Sequence, residues 1–191
     1  MASALFIIDV QNDFTEGGAL GVTGGTAVAH GVTALLKDRP GRYDLVVASR
    51  DWHDADNDNG GHFGEIPDFV QTWPVHCVAG SIGAEYNDEL DPALIDVHVL
   101  KGQGKPAYSI FEGVTDDGET VAQLLDRTGI TEIDVVGIAT DYCVLASALD
   151  AVSAGRSVRV LTSLVAGVAP ESSAAALETL AAAGVGLVAA P

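Results

Sequence analysis

The sequence predicts an α/β fold in three layers, a doubly wound sheet of about six mainly parallel strands with helices on both faces. Two observations predict it. Six short runs are almost continuously apolar, as is typical of parallel strands covered on both faces, and helical patterns lie between most of them. The length of 191 residues suggests one domain over 1–191, which is long enough to bury a substantial core.

Each predicted strand is rich in β-branched and aliphatic residues, which suit the surface of a buried sheet. In chain order the predicted strands are 4–10, 44–49, 95–100, 132–138, 157–162 and 185–189. Thr140 or Asp141 can cap the helix after the fourth strand, and the last helix begins with Pro170, a favoured first-turn residue. The predicted helices are 26–37, 119–127, 141–154 and 170–183.

The connection at about 50–94 breaks the alternation of strands and helices. It is rich in glycine and proline and shows no sustained helical period. Irregular connections of this length inside a compact domain are usually functional, so we expect this one to carry part of a site.

Charge and composition narrow the class of partner. Nine lysines and arginines against 27 aspartates and glutamates give a net charge of −18. That field repels nucleic acid and anionic membrane surfaces and favours a small neutral or cationic ligand, although a local positive site could still hold an anion. The charge opposes casual association but does not forbid a homo-oligomer. Two cysteines and an N-terminus without a basic signal region predict a cytoplasmic location.

Polar residues lie at the carboxyl ends of four of the predicted strands. They are Asp9, Asp51, Lys101 and the group that contains Cys143. Because open α/β sheets bind ligands at that edge, we expect these side chains to form one site.

Cys143 is the candidate nucleophile. It is predicted in the first turn of a helix, where the helix dipole and free N–H groups lower the pKa of a thiol and can bind an oxyanion. Taken alone, it could equally be a small buried apolar side chain.

Asp9 and Lys101 are its candidate partners. A thiol needs a base and an amide leaving group needs an acid, and Asp9 can serve as both. A Lys101–Asp9 pair would keep the carboxylate ionised and favour thiol deprotonation. A purely structural ion pair is the alternative.

The long connection contains a candidate metal site. Asp51 and His53 lie on one side of an extended segment, and His62 and His76 follow. One carboxylate with two or three imidazoles suits Zn, Fe or Mn. Histidines in an exposed polar loop are the alternative.

An acidic stretch in the same connection partly matches a calcium-binding loop. Asp54, Asp56 and Asp58 fall at its positions one, three and five, and Glu65 falls at position twelve. However, Asn59 stands where glycine is needed, and a strand precedes the loop where a helix should. A solvated acidic turn fits better.

Aromatic residues near these positions could form a binding pocket. Phe14 and Trp73 flank the predicted site in sequence and could sandwich a flat ring, or they could simply anchor loops to the core.

Together these residues resemble the nicotinamidase (pyrazinamidase) branch of the isochorismatase-like hydrolases. The segment 54–61 departs from the pattern, because it is longer and more acidic than in some members and could shift how His62 meets the metal. The matching stretches occur in family order and cover nearly the whole chain: 4–18, 50–53, 62–63, 73–77, 101–102, 107–109, 111–113 and 137–143.

The resemblance implies an isochorismatase-like fold and hydrolysis of nicotinamide to nicotinate and ammonia through a cysteine thioester, a step in NAD salvage. Pyrazinamide, also a small neutral aromatic amide, is the expected second substrate. Cys143 would be the nucleophile, Asp9 the general base and acid, and Lys101 the charged partner of both.

The resemblance also implies the remaining site residues. The N–H groups of Ala139 and Cys143 would form the oxyanion hole, after a cis peptide that precedes Ala139. One divalent ion (Zn, Fe or Mn) would be held by Asp51, His53, His76 and His62. The ring pocket would be lined by Phe14, Leu20, Trp73 and Tyr142.

Three alternatives stay open at this point. A sister cysteine amidohydrolase acting on a carbamoyl or ureido compound is one, although those branches lack the metal residues. A non-catalytic metal-binding module is the second. Isochorismate cleavage is the third, and Cys143 counts against it because that branch lacks the cysteine nucleophile.

Overall fold

A central sheet of seven strands organises the computed structural model, which describes residues 2–190. The strands are β1 (Ala2–Ile8), β2 (Leu45–Asp51), β3 (Val97–Lys101), β4 (Val114–Thr115), β5 (Ile130–Ile138), β6 (Ser157–Ala166) and β7 (Gly186–Val188). Their order in the sheet is β4-β3-β2-β1-β5-β6-β7, and only the edge strand β4 runs antiparallel. The helices are α1 (Gly25–Asp38), α2 (Val121–Thr128), α3 (Leu145–Ser153) and α4 (Pro170–Ala182).

Alternation of side chains along β1 builds a core on each face of the sheet. Leu5 and Ile7 point into a layer completed by α1, whereas Phe6 and Ile8 point into a layer completed by α2, α3 and α4. All four side chains are fully buried. The predicted doubly wound α/β fold is therefore confirmed.

The switch in winding direction positions the site. β1 lies at the centre of the sheet, with β2 on one side and β5 on the other. α1, which follows β1, covers one face, and α3, which follows β5, covers the opposite face. In such a sheet the crevice at the carboxyl ends of the two central strands is the expected ligand site.

Two details differ from the prediction. Strand β4 was not predicted, because a two-residue edge strand leaves no periodic signal. The predicted helix at 141–154 is divided into a π-helical turn, Thr140–Val144, and α3. The turn widens because the carbonyl of Ala139 accepts hydrogen bonds from the N–H groups of both Tyr142 and Val144, each at 3.1 Å. Such π turns often occur at functional sites.

Across residues 2–190, every helix is too short or too polar to cross a membrane.

Candidate active site

Asp9, Lys101 and Cys143 meet at the carboxyl edge of the sheet. Asp9 follows the end of β1 in a left-handed backbone conformation (φ 47°), Lys101 ends β3, and Cys143 lies in the π-helical turn after β5. Nζ of Lys101 lies 2.9 Å from Oδ2 of Asp9 and 3.7 Å from Sγ of Cys143. The ends of three strands thus bring a carboxylate, an ammonium and a thiol into contact.

The ammonium of Lys101 stays charged in this buried setting. Burial alone would lower its pKa, but the carboxylates of Asp51 and Asp9 outweigh burial and raise the pKa well above its ordinary value. Lys101 contacts both carboxylates and donates a hydrogen bond to the carbonyl of Ala107 at 3.3 Å. It therefore places a positive charge 3.7 Å from the sulfur of Cys143.

The carboxyl group of Asp9 is poised to gain and lose a proton. Complete burial raises its pKa above the ordinary value, while Lys101 and the hydroxyl of Ser49, which donates to Oδ1 at 2.7 Å, act against that rise. A buried carboxylate with a raised pKa is suited to general acid–base chemistry.

The thiol of Cys143 corrects one expectation. The helix start was predicted to lower its pKa, but burial raises the pKa well above its ordinary value, and the negative charges of Asp9 and Asp51 add to the rise. Only Lys101 acts strongly in the opposite direction. The sulfur therefore carries a proton at neutral pH, and a base must remove it before the sulfur can attack a carbonyl.

The long connection folds back on itself and gathers three histidines. The backbone of His53 pairs with Cys77 and Ala79, with N–H to carbonyl distances of 3.0 and 2.9 Å. The N–H of Trp73 donates to the carbonyl of His62 at 2.9 Å. These pairings bring one ring nitrogen each of His53, His62 and His76 within 4.8 Å of one another. All three side chains are buried, so they are not the surface histidines of the alternative interpretation.

The free nitrogens of this histidine cluster fit a cation. Nδ1 of His53 hydrogen-bonds the carbonyl of Gly102 at 2.8 Å, and Nδ1 of His76 hydrogen-bonds that of Pro74 at 2.7 Å. Their Nε2 atoms lie 3.7 and 3.9 Å from Oδ2 of Asp51. Nε2 of His53 is buried without a hydrogen-bond partner in the described part of the chain. Because an orphaned buried nitrogen is costly, a metal ion is the natural partner.

Protonation states in the cluster also suit a cation. Burial, together with His53 and His76, lowers the pKa of His62 to about 4, so its ring is neutral and offers a lone pair. Burial would raise the pKa of Asp51, but Lys101 and His53 hold it far below its ordinary value, so it is ionised. Three buried imidazoles and a carboxylate make a site for a divalent transition metal. One oxygen of Asp51 faces the histidines while the other contacts Lys101.

A cavity of about 300 Å³ opens between the histidine cluster and Cys143. Its lining includes the four residues expected to hold a ring, namely Phe14, Leu20, Trp73 and Tyr142. The rings of Trp73 and Tyr142 meet edge to face with centroids 5.1 Å apart. Ala139 also lines the cavity, and the peptide between Ile138 and Ala139 is cis.

Several residues of the cavity wall were not predicted as site residues, among them Phe69, Tyr108 and Val168. Tyr108 accepts a hydrogen bond from Nε1 of Trp73 at 3.1 Å and stacks on Tyr142. It lies in a stretch that matches the family, and this was the one signal that could have identified it. Phe69 and Val168 come from irregular segments without any such signal.

Comparisons with known proteins agree with this geometry. A family model described as the isochorismatase domain matches residues 3–190. The nicotinamidase/pyrazinamidase of Mycobacterium tuberculosis is 46% identical over 185 residues, which cover 97% of each chain. The pyrazinamidase of Pyrococcus horikoshii, solved in complex with zinc, has a TM-score of 0.84 and 36% identity over 99% of each chain. PnC1 of L. infantum, solved with nicotinate, has a TM-score of 0.84 and 35% identity, over 98% of this chain and 92% of that one.

Proposed function

The chain belongs to the isochorismatase family, and we propose that it is a nicotinamidase that hydrolyses nicotinamide to nicotinate and ammonia, and also accepts pyrazinamide. The observation that carries the proposal is the contact of Lys101 with Asp9 and Cys143 at the edge of a cavity that a histidine cluster borders. Relatives named nicotinamidase or pyrazinamidase support it, and so does the similar PnC1 of L. infantum, which was solved with nicotinate.

The cavity suits a small, flat and neutral aromatic amide. Its volume of about 300 Å³ is at the small end for ligand sites, and aromatic side chains line much of its wall. Faces and edges of Phe14, Trp73 and Tyr142 offer stacking partners for a ring. Because nicotinamide is uncharged, the net charge of −18 does not exclude it.

Asp51, His53, His62 and His76 would hold one divalent ion, and the donor set admits Zn, Fe or Mn. Zinc is the first metal to test, because the P. horikoshii relative was solved with it. Such an ion would supply Lewis acidity at the wall of the cavity that binds the substrate.

The first half of the proposed reaction forms a thioester. Asp9 takes the proton of the Cys143 thiol, and the sulfur attacks the amide carbon. Lys101 stabilises the thiolate as it forms, and the N–H groups of Ala139 and Cys143 receive the oxyanion; each donor of this kind contributes about 3 kcal/mol. The carbon–nitrogen bond then breaks, and Asp9 returns the proton so that ammonia leaves.

The second half hydrolyses the thioester. A water molecule gives a proton to Asp9 and attacks the carbonyl carbon of the acyl group on Cys143. The oxyanion again forms at the same two N–H groups. The carbon–sulfur bond breaks, Asp9 passes the proton that it took from water to the sulfur, and the acid leaves as nicotinate after giving its own proton to solvent. Asp9 therefore serves as base and acid in turn, which agrees with its raised pKa.

Ammonia release from nicotinamide tests the proposal directly. The wild type should release one ammonia per nicotinate, and Cys143→Ala should lower the rate by roughly 10³-fold or more while metal content stays normal. The metal content of both proteins is measured by elemental analysis. A Cys143→Ala variant that keeps most of the activity would exclude the thioester and favour a metal-bound hydroxide instead.

A further inference from the structure

We propose that Asp13 is a positioning residue that ties the apolar wall of the cavity to the histidine cluster. The inference rests on the proposed metal site and adds a residue to it. Asp13 lies in the short 3-10 turn Asn12–Phe14, next to a ring that lines the cavity. The sequence analysis did not single it out.

The carboxylate of Asp13 joins two segments that are far apart in the sequence. Oδ2 accepts the backbone N–H of Cys77 at 2.7 Å, and Oδ1 accepts that of Ala19 at 3.3 Å. The main-chain carbonyl of Asp13 also accepts the N–H of Leu20 at 2.8 Å. Cys77 directly follows His76 of the cluster, and Leu20 lines the cavity. One aspartate thus holds a metal-site segment and a substrate-site segment in register.

The backbone of Cys77 needs this carboxylate. Cys77 is fully buried and has a left-handed conformation (φ 45°), which is uncommon for a residue with a side chain. A buried N–H that loses its partner is destabilising enough to shift a local conformation of this kind. A charge-assisted hydrogen bond to Asp13 therefore stabilises the segment that carries His76.

The carboxylate of Asp13 packs closely against Gly83, where there is no room for a side chain. A Cβ atom on Gly83 would lie 2.2 Å from Oδ2 and 2.4 Å from Cγ of Asp13. The side chain of Asp13 is therefore packed between the segment that contains Gly83 and the segments that it bonds. A side chain on residue 83 would overlap the carboxylate of Asp13 and require it to move.

Through these contacts Asp13 influences the position of His76 without touching its ring. The carbonyl of Pro74 fixes the ring of His76 from the preceding side, through the hydrogen bond to Nδ1. The Asp13–Cys77 bond fixes the backbone that follows. Without Asp13, the ring of His76 is held from one side only, and Nε2 is less well aimed at its neighbours in the cluster. The N–H of Ala19, which precedes Leu20 of the cavity wall, loses its partner at the same time.

Glu16 provides a matched control within the same loop. Its carboxylate also accepts backbone N–H groups, from Gly24 at 2.6 Å and from Thr26 at 2.9 Å, and it accepts the Thr26 hydroxyl at 2.6 Å. These bonds tie the loop to the start of α1 and make no contact with the segment of His76. Loss of Glu16 therefore tests general loosening of the loop.

Competitive titration with zinc and a chelator measures the effect on four proteins: the wild type, Asp13→Asn, Gly83→Ala and Glu16→Gln. In Asp13→Asn, one of the two N–H groups would face an amide NH₂, so we expect zinc affinity to fall about tenfold and KM for nicotinamide to rise. Gly83→Ala leaves Asp13 in place but displaces its carboxylate, and it should lower zinc affinity in the same direction. Glu16→Gln should bind zinc like the wild type.

The outcomes separate this inference from the proposed function. Suppose that the wild type hydrolyses nicotinamide and that Asp13→Asn and Gly83→Ala bind zinc as tightly as it does. The proposed role of Asp13 is then overturned, and the proposed function stands. A fall in zinc affinity of equal size in Glu16→Gln also overturns it, because general loosening would then explain the result. A wild type that binds no zinc, Fe or Mn overturns the proposed metal site, and the role of Asp13 with it. Thermal unfolding of each metal-free variant confirms that the fold is intact.

Discussion

Two buried aspartates on neighbouring segments of the sheet are paired with cations in contrasting ways. Asp134 of β5 lies opposite Arg159 of β6, whose guanidinium donates to both carboxylate oxygens at 2.7 and 3.0 Å, and Tyr43 donates a third bond at 2.7 Å. Asp9, after β1, has Lys101 and Ser49. Apart from the ion pair with Lys101, Oδ2 of Asp9 has no hydrogen-bond partner within residues 2–190.

The difference between the two pairs separates a structural ion pair from a reactive one. The side chain of Arg159 is 50% exposed, so its charge stays hydrated and Asp134 is fully satisfied. Lys101 and Asp9 are both 0% exposed, and the pair reaches a thiol. A buried carboxylate that has a free acceptor oxygen and a raised pKa, as Asp9 has, is suited to proton exchange. This contrast favours the reactive interpretation of the Lys101–Asp9 pair.

Replacing the cation of each pair should give the largest difference in the free energy of unfolding between the two sites. Lys101→Met leaves Asp9 and Asp51 buried without their shared cation, so we expect the free energy of unfolding to fall by about 3–5 kcal/mol and activity to be lost. Arg159→Met should cost about 1 kcal/mol or less, because its side chain is half exposed and Tyr43 still binds Asp134. Urea unfolding of both variants measures the difference.

A double variant tests whether loss of folding alone explains the loss of activity in Lys101→Met. Asp9→Asn combined with Lys101→Met removes one buried negative charge along with the positive one, so part of the lost stability should return while ammonia release stays absent. Equal destabilisation by Lys101→Met and Arg159→Met would mean that burial does not distinguish the two pairs.

Replacing the two carboxylates by amides should give a smaller effect, confined to one site. Asp9→Asn keeps the size of the side chain and an acceptor for Ser49 but removes the proposed base, so kcat should fall roughly 10²–10⁴-fold. Asp134→Asn should leave kcat unchanged and lower stability by about 1–3 kcal/mol, since it weakens hydrogen bonds to a charged group. Steady-state kinetics and urea unfolding report the two effects. A matching fall in kcat for Asp134→Asn would contradict the assignment.

The sequence predicted the strand edge better than the loop geometry. Polar residues that directly follow strands must share one edge of a parallel sheet, so the meeting of Asp9, Lys101 and Cys143 followed from the topology. The fold was also predictable, because each strand and helix repeats a local pattern of apolar residues.

Other features depend on contacts that no local pattern encodes. The pairing of His53 with the segment of Cys77 joins residues about 25 positions apart through an irregular chain. The pKa of Cys143 was predicted in the wrong direction, because burial and two nearby carboxylates exceed the influence of a helix start. The burial and the neighbouring charges that set this pKa exist only in the folded chain.

The smallest expected effect concerns Tyr43 at high pH. Burial, followed by the hydrogen bond to Asp134, raises the pKa of Tyr43 to about 12 from an ordinary value of 10. Between these two values the unfolded chain has lost the phenol proton that the folded chain keeps, so the contribution of Tyr43 to stability is complete below pH 10 and is lost as pH rises towards 12. Stability of the wild type should therefore fall more steeply over that range than stability of Tyr43→Phe.

Urea unfolding of the wild type and Tyr43→Phe at several pH values from 9 to 12 tests this, with phenolate absorbance as a second readout. Other titrating groups contribute to the slope in both proteins, so the difference between the two curves isolates Tyr43. Ammonia release at neutral pH should be the same in both, because Tyr43 binds the saturated carboxylate of Asp134 and lines no part of the cavity. Parallel curves would show that the phenol is not held by Asp134. A fall in activity would show instead that the two ion pairs are coupled through β1 and β5, which would remove the distinction between a structural and a reactive carboxylate.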